Sequence, residues 1–221
     1  MKHKTCVSIA EKNPKRMIQL IKKALKRSDY VEIRFDFLKP EQVPQALELS
    51  KKYLKFSVCT LRPKTEGGKF SGKELERISI IKLISEYKPF LLDIEYNTLR
   101  KNKSLLNYVK KTKTPVLVSW HDFKKTPSII DLQKKLNQMK KISNNVKIVT
   151  TAKTVKDASK VLSLYSISSK INLIVFSMGD LGRISRVLCL YLGSPYTYVS
   201  LGKAVAPGQF SLDEIRSIID T

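Results

Sequence analysis

Four short stretches set charged or nucleophilic side chains at every second position among apolar ones. In Val31-Glu32-Ile33-Arg34-Phe35-Asp36-Phe37, apolar residues take one set of alternate positions and Glu32, Arg34 and Asp36 take the other. Asp93 and Glu95 share a face in Leu92-Asp93-Ile94-Glu95, as do Ser119 and His121 in Leu117-Val118-Ser119-Trp120-His121. Lys147 adds one cation to the otherwise apolar run Val146-Lys147-Ile148-Val149. Such alternation belongs to strands, whose successive side chains point to opposite faces. Carboxylates, a histidine, a lysine and arginines gathered in one cavity would be able to hold an anion, move protons and supply an amine nucleophile. The only other histidine, His3, lies near the first residue, so no metal site is expected.

Each stretch also has an ordinary structural reading. The charges of 31–37 would suit the solvated face of an antiparallel sheet, Lys147 an edge strand guarded against pairing, and His121-Asp122 a loop. Gly67-Gly68 would suit a plain turn, and Arg186 the outer face of a helix. A buried parallel strand, however, is apolar on both faces, so three charges on one face require a polar cavity, and the end of a barrel provides one.

The elements that would position these residues recur in order. Strand candidates are Thr5 to Ala10, Val31 to Phe37, Lys55 to Leu61, Phe90 to Tyr96, Pro115 to Trp120, Val146 to Thr150, Asn172 to Met178 and Thr197 to Leu201, each followed by a helix-period segment. Asn13 and Pro14 predict a capped helix start with an apolar stripe of Met17, Ile18, Ile21, Ala24 and Leu25. Leu75, Ile78, Ile81 and Leu83 predict a second stripe, and Val155, Ala158, Val161, Leu162 and Tyr165 a third. Eight such units in 221 residues predict a compact (β/α)₈ (TIM) barrel as a single domain over residues 1–221. An open doubly wound sheet is the structural alternative, although no Gly-x-Gly-x-x-Gly follows the first strand.

Composition narrows the class. Hydrophobic residues make up 42% and charged residues 28%, which excludes collagen-like and largely disordered chains. No run of about 18 apolar residues or signal-peptide pattern is present, so no membrane association is expected. Cys6, Cys59 and Cys189 are widely spaced and read as buried thiols of a reducing, cytoplasmic compartment. The net charge of +23 predicts attraction to polyanions, and a nucleic-acid-binding protein is the alternative from another class. The Lys-rich stretches Lys101 to Lys113 and Lys134 to Lys141, however, fall on predicted helices, lack a stacking-aromatic pattern and read as solvated faces, so no specific nucleic-acid partner is expected.

Seven motifs in order resemble the type I 3-dehydroquinate dehydratase family over essentially the whole chain. They are Glu32-x-Arg34-x-Asp36, Arg62-x-x-x-Glu66-Gly67-Gly68, Asp93-x-Glu95, Ser119-x-His121-Asp122-Phe123 and Val146-Lys147-Ile148, followed by 177–186 and 202–209. The resemblance implies a (β/α)₈ enzyme that converts 3-dehydroquinate to 3-dehydroshikimate by imine catalysis without metal or organic cofactor, and acts as a homodimer. It implies Lys147 as the Schiff-base nucleophile, whose attack needs the neutral amine that an apolar strand favours. It implies His121 as general base and acid, Glu66 as the carboxylate that orients His121, and Arg186 as the clamp on the substrate carboxylate. Glu32, Arg34, Arg62 and Gln209 match positions that contact substrate hydroxyls or organise the site, and Lys203 to Gln209 matches a loop that closes over substrate. The family commonly has Ser where this chain has Val205, so one hydroxyl contact is missing and weaker binding is expected. Another imine-forming barrel, such as an aldolase, is the alternative within enzymes, and the set His121, Glu66 and Arg186 favours dehydration of a carboxylated ring.

Overall fold

Residues 3–168, 170–202 and 204–219 are described by a computed structural model. Eight strands are present: β1 (Thr5–Ile9), β2 (Tyr30–Arg34), β3 (Ser57–Thr60), β4 (Leu91–Glu95), β5 (Val116–His121), β6 (Asn145–Thr151), β7 (Asn172–Met178) and β8 (Thr197–Val199). Between and after them lie α1 (Pro14–Ala24), α2 (Val43–Ser50), α3 (Glu74–Glu86), α4 (Tyr96–Lys101), α5 (Lys103–Thr112), α6 (Ile129–Lys140), α7 (Val155–Leu162), α8 (Ser185–Tyr191) and α9 (Leu212–Ile219). The strand order is β7-β6-β5-β4-β3-β2-β1-β8, and the pairs β1–β8, β2–β3, β3–β4 and β6–β7 are parallel. That order follows the chain without the reversal a doubly wound sheet needs, and the fold is a (β/α)₈ barrel. Among the described residues no helix is long and apolar enough to cross a membrane.

The chain forms two compact units, one over residues 8–117 and one from the segments before and after it. In residues 8–117, α1 starts as its sequence dictates: Asn13 accepts a hydrogen bond from Arg16 N at 3.1 Å, Pro14 follows, and Met17, Ile21 and Ala24 are buried. The second stripe differs from expectation. Leu75 is exposed and Leu83 only half-buried, whereas Arg77, Ile78, Ile81, Ile84 and Ser85 form the inner face of α3. The displacement has a cause, because Arg77 brings its charge inward to carboxylates that need it. The strand predicted over Val31 to Phe37 ends at Arg34, and Phe35–Phe37 is a 3₁₀ turn. In an extended strand Arg34 and Asp36 would stand about 6.6 Å apart. The turn instead closes a two-point ion pair between them at 2.8 and 2.7 Å.

Lys55 likewise precedes its strand, in the 3₁₀ segment Lys51–Phe56, and is exposed. In α5, Leu105 and Val109 face inward while Lys110 and Lys111 are exposed, a solvated face as expected. In the other unit, α6 buries Leu132, Leu136 and Met139 with Lys134 exposed. Val155 of the third stripe is exposed, while Ala158 and Val161 are buried. The three cysteines are free and buried, and burial raises the Cys59 and Cys189 thiols above their ordinary range.

Candidate active site

In residues 8–117 the polar residues stand at the ends of β2, β3 and β4 and in the turns after them. Glu32 is buried on β2, and its carboxylate accepts from Ser8 Oγ and Thr60 Oγ1, each at 2.9 Å. This excludes the solvated antiparallel face, since β2 pairs in parallel with β3 and Glu32 is 4% exposed. Arg34 is held by Asp36, which also accepts from Lys69 N at 2.9 Å. Burial opposes the Arg34 charge, but the Asp36 carboxylate outweighs it and the guanidinium pKa is raised. Arg62 is buried and donates to Asp93 at 2.7 Å and to Glu95 at 2.9 Å. Its pKa is raised for the same reason: burial lowers it, and Asp93 and Glu95, with Glu66 and Glu32, more than compensate.

Glu66 depends on the two glycines after it. Residues Lys64–Glu66 form a 3₁₀ turn that ends on Gly67 at φ 75°, a left-handed conformation suited to glycine. Gly68 N donates to Pro63 O at 2.9 Å, and a Cβ on Gly68 would lie 1.9 Å from the Arg62 carbonyl oxygen. The plain turn is therefore also a device that folds Glu66 back beside Arg62. Glu66 is buried and accepts from Asn97 Nδ2 at 3.3 Å. Burial first, then the Glu95 charge, push its carboxyl up to about 7, against the lowering effect of Arg62 and Asn97.

The remaining predicted residues belong to the other unit. Lys147 lies on β6, which is flanked by β5 and β7 in the strand order, so it guards no edge. It is 5% exposed, and its Nζ stands 4.1 Å from the centroid of the Tyr198 ring on β8. His121 is the last residue of β5, half-buried, with its ring stacked on Phe123 at 5.9 Å. The chain is fixed just beyond it, where Asp122 N donates to Val149 O of β6 at 2.9 Å.

Arg186 is buried at 1% exposure on α8 and is no surface charge. Its guanidinium lies over Phe176 at 4.2 Å, and Phe176 in turn packs 6.3 Å from Tyr198, so an aromatic pair links Arg186 to Lys147. Arg186 donates to Pro207 O at 3.1 Å, its Nε is buried without a hydrogen bond, and no described carboxylate pairs with it. Burial accordingly lowers its pKa to about 10. A buried guanidinium with free donors is an anion site in waiting. Gln209 is buried in the same loop as Pro207 and accepts from Val205 N at 2.8 Å. Gly208, at φ 70°, lets this loop meet the turn after β7, since a Cβ there would lie 2.8 Å from Gly179 O. Lys203, at the start of the expected closing loop, lies outside the described residues.

Each unit thus gathers its own set: Glu32, Arg34, Arg62 and Glu66 in one, and Lys147, His121, Arg186 and Gln209 in the other. Sequence reasoning missed Arg77, Asn97 and the aromatic pair Phe176 and Tyr198. Among the described residues no group of three or more His, Cys, Asp or Glu side chains is placed to hold a metal ion.

The family model of type I 3-dehydroquinase matches residues 5–221. The chain belongs to the type I 3-dehydroquinase family. It is 34% identical over 219 residues to the 3-dehydroquinate dehydratase of Methanococcus maripaludis strain C6, covering 97% of this chain and 98% of that one. Identity to the 3-dehydroquinate dehydratase of Pyrococcus abyssi is 36% over 193 residues, covering 87% and 86%. Two crystal structures are similar in fold. The 3-dehydroquinate dehydratase of Geobacillus kaustophilus has a TM-score of 0.90 at 21% identity, covering 100% of this chain and 91% of that one. The type I enzyme of Clostridium difficile, with covalent modified comenic acid, has a TM-score of 0.88 at 27% identity, covering 99% and 92%.

Proposed function

We propose that this type I 3-dehydroquinase dehydrates 3-dehydroquinate to 3-dehydroshikimate, the third step of the shikimate pathway, with Lys147 as the nucleophile and residues 1–221 acting as one catalytic domain. The Lys147 amine adds to the substrate ketone and water leaves, giving an iminium that acidifies the neighbouring C–H. His121 removes that proton and then protonates the departing hydroxide, which leaves as water, and hydrolysis of the imine returns the amine. Glu66 orients His121 and stabilises its charged form. Arg186 takes the substrate carboxylate, and Glu32, Arg34, Arg62 and Gln209 order its hydroxyls and the site around them. No metal or organic cofactor takes part in this scheme.

The observation that carries the reading is the burial of Lys147 on an interior strand, in a chain that matches the family over residues 5–221. Lys147→Ala is expected to abolish formation of the conjugated product, followed by its ultraviolet absorbance, while the folding transition persists. Full turnover by that variant would overturn the reading.

We further propose that the enzyme works in the cytoplasm as a homodimer. Support comes from an exposed apolar stripe along α8 and its flanks, formed by Leu181, Ile184, Leu188, Tyr191 and Leu192. No lysine occurs between Lys170 and Lys203 in a chain of net charge +23. A two-fold contact sets each charge near its own copy, so a self-associating face of so cationic a protein must be cleared of lysine. Each of these five residues is 42–59% exposed, and a stable partner buries about 800 Å² per side. Leu188→Lys is expected to give monomers in sedimentation, and an unchanged sedimentation coefficient would refute the assignment.

A further inference from the structure

Arg77, in the first turn of α3, heads the fully buried side chains by volume, and the proposed chemistry does not use it. All five of its N–H donors are engaged. Nε and Nη2 each donate to Glu74 at 2.8 Å, Nη2 donates to Thr98 Oγ1 at 2.6 Å, and Nη1 donates to Leu61 O at 3.0 Å and Glu95 Oε2 at 2.8 Å. Glu95 is therefore gripped from two sides, since Arg62 donates to its other oxygen at 2.9 Å. Arg62 continues the chain to Asp93 at 2.7 Å.

The charges on either side of Glu95 show what this grip is for. Glu32, Glu66, Asp93 and Glu95 are buried carboxylates, and the buried guanidiniums of Arg62 and Arg77 share Glu95. Without Arg77, Glu95 would lose the guanidinium on its Oε2 and keep the one on its Oε1. We propose that Arg77 is a positioning residue: acting through Glu95, it fixes the guanidinium of Arg62 and limits the negative charge around Glu66. The inference rests on the role proposed for Glu66, so its test reads that carboxylate directly as well as turnover.

The groups that act on Glu66 within this unit are Arg62 of the β3 end, Asp93 and Glu95 of β4, and Asn97 of α4. Glu66 also lines a cleft of about 580 Å³ whose other charged residues are Glu74, Arg77, Arg100 and Lys101. In the proposed reaction His121 is a further titratable partner.

The experiment follows the Glu66 carboxyl by ¹³C NMR and kcat against pH in Arg77→Gln, Arg77→Lys, Glu95→Gln and the double variant. Arg77→Gln is expected to raise the Glu66 titration by about one pH unit, the lower end of what a nearby charge does. At pH 7 the ionised fraction then falls from about one half to one tenth, so kcat drops about fivefold and recovers as pH rises. Arg77→Lys retains the charge without the five-donor fork, and is expected to keep the pH profile while melting at a lower temperature. Glu95→Gln alone is expected to lower the titration, and adding Arg77→Gln to it to raise the titration by less than Arg77→Gln does in the parent. A lower melting temperature in Arg77→Gln with the titration and the profile in place would assign Arg77 a structural role only and overturn the inference.

Should Arg77→Gln not fold, the two Glu95→Gln variants still decide. A rise of a full pH unit or more on adding Arg77→Gln, or no fall from Glu95→Gln itself, overturns the inference. A shifted Glu66 titration in a protein that forms no imine would instead remove the reading of the reaction and leave the Arg77 linkage standing.

Discussion

Replacing Glu66 with glutamine is expected to stabilise the protein at neutral and alkaline pH while disabling it. Burial raises the carboxyl from its ordinary 4.5 to about 7, the Glu95 charge adds to the effect, and Arg62 and Asn97 oppose it. A raised carboxyl means that the folded protein holds this proton more tightly than the unfolded chain does. The stability it contributes is fully present below pH 4.5 and is lost as pH rises through about 7. A shift of roughly 2.5 units corresponds to about 3 kcal/mol. Glutamine has nearly the same shape and no titration, so the stability of Glu66→Gln relative to the parent should climb by about 3 kcal/mol between pH 4.5 and 7 and level off above. Urea unfolding of both proteins at half-unit pH intervals reads this difference directly, because other titrating groups contribute to both. A difference that stays constant from pH 5 to 8 would refute the buried, unfavourable ionisation of Glu66. Turnover by the variant should fall on the order of 10²-fold or more, since glutamine cannot stabilise a protonated His121.

Arg186→Met is expected to act in the same sense. Burial lowers the guanidinium pKa to about 10, a penalty on its charged form at neutral pH, so an apolar side chain of similar length should raise stability by up to about 3 kcal/mol in urea unfolding. The same variant should raise KM about 10²-fold, the loss of a two-point charged contact. Lower stability together with unchanged KM would show that Arg186 serves packing. Val205→Ser restores one hydroxyl and should lower KM about two- to tenfold at constant kcat, the worth of one neutral hydrogen bond. An unaltered KM would count against a substrate contact at that position.

Much of the site was legible because strands have a period of two. Glu32, Asp93, Glu95, Ser119 and His121 stand at alternating positions in the sequence, and for Glu32, Asp93 and Glu95 parallel pairing with burial turns that alternation into a buried polar set. Arg62, Glu66, Arg186 and Gln209 were assigned by motif alone, because turns and short helices have no comparable period. Arg77 escaped notice for a different reason. It stands four residues before Ile81 and seven before Ile84, on the apolar stripe itself, where an arginine reads as an interruption of the stripe. Leu75 departs from the stripe for the same cause, since nothing local tells a helix to turn a leucine outward and an arginine inward. The buried carboxylate of Glu95, on β4, draws the arginine inward. The early end of β2 is similar: Asp36 keeps strand spacing in the sequence, but its pairing with Arg34 curls the backbone into a turn.

The most direct measurement is borohydride reduction in the presence of 3-dehydroquinate, followed by intact mass and peptide mapping. Reduction converts an imine to a stable amine adduct, so the trap reports nucleophile and carbonyl together. A single adduct of the reduced ligand, confined to the peptide that carries Lys147, is the expected result. A folded protein that remains unlabelled, or is labelled on a lysine other than Lys147, would contradict the account at its chemical centre.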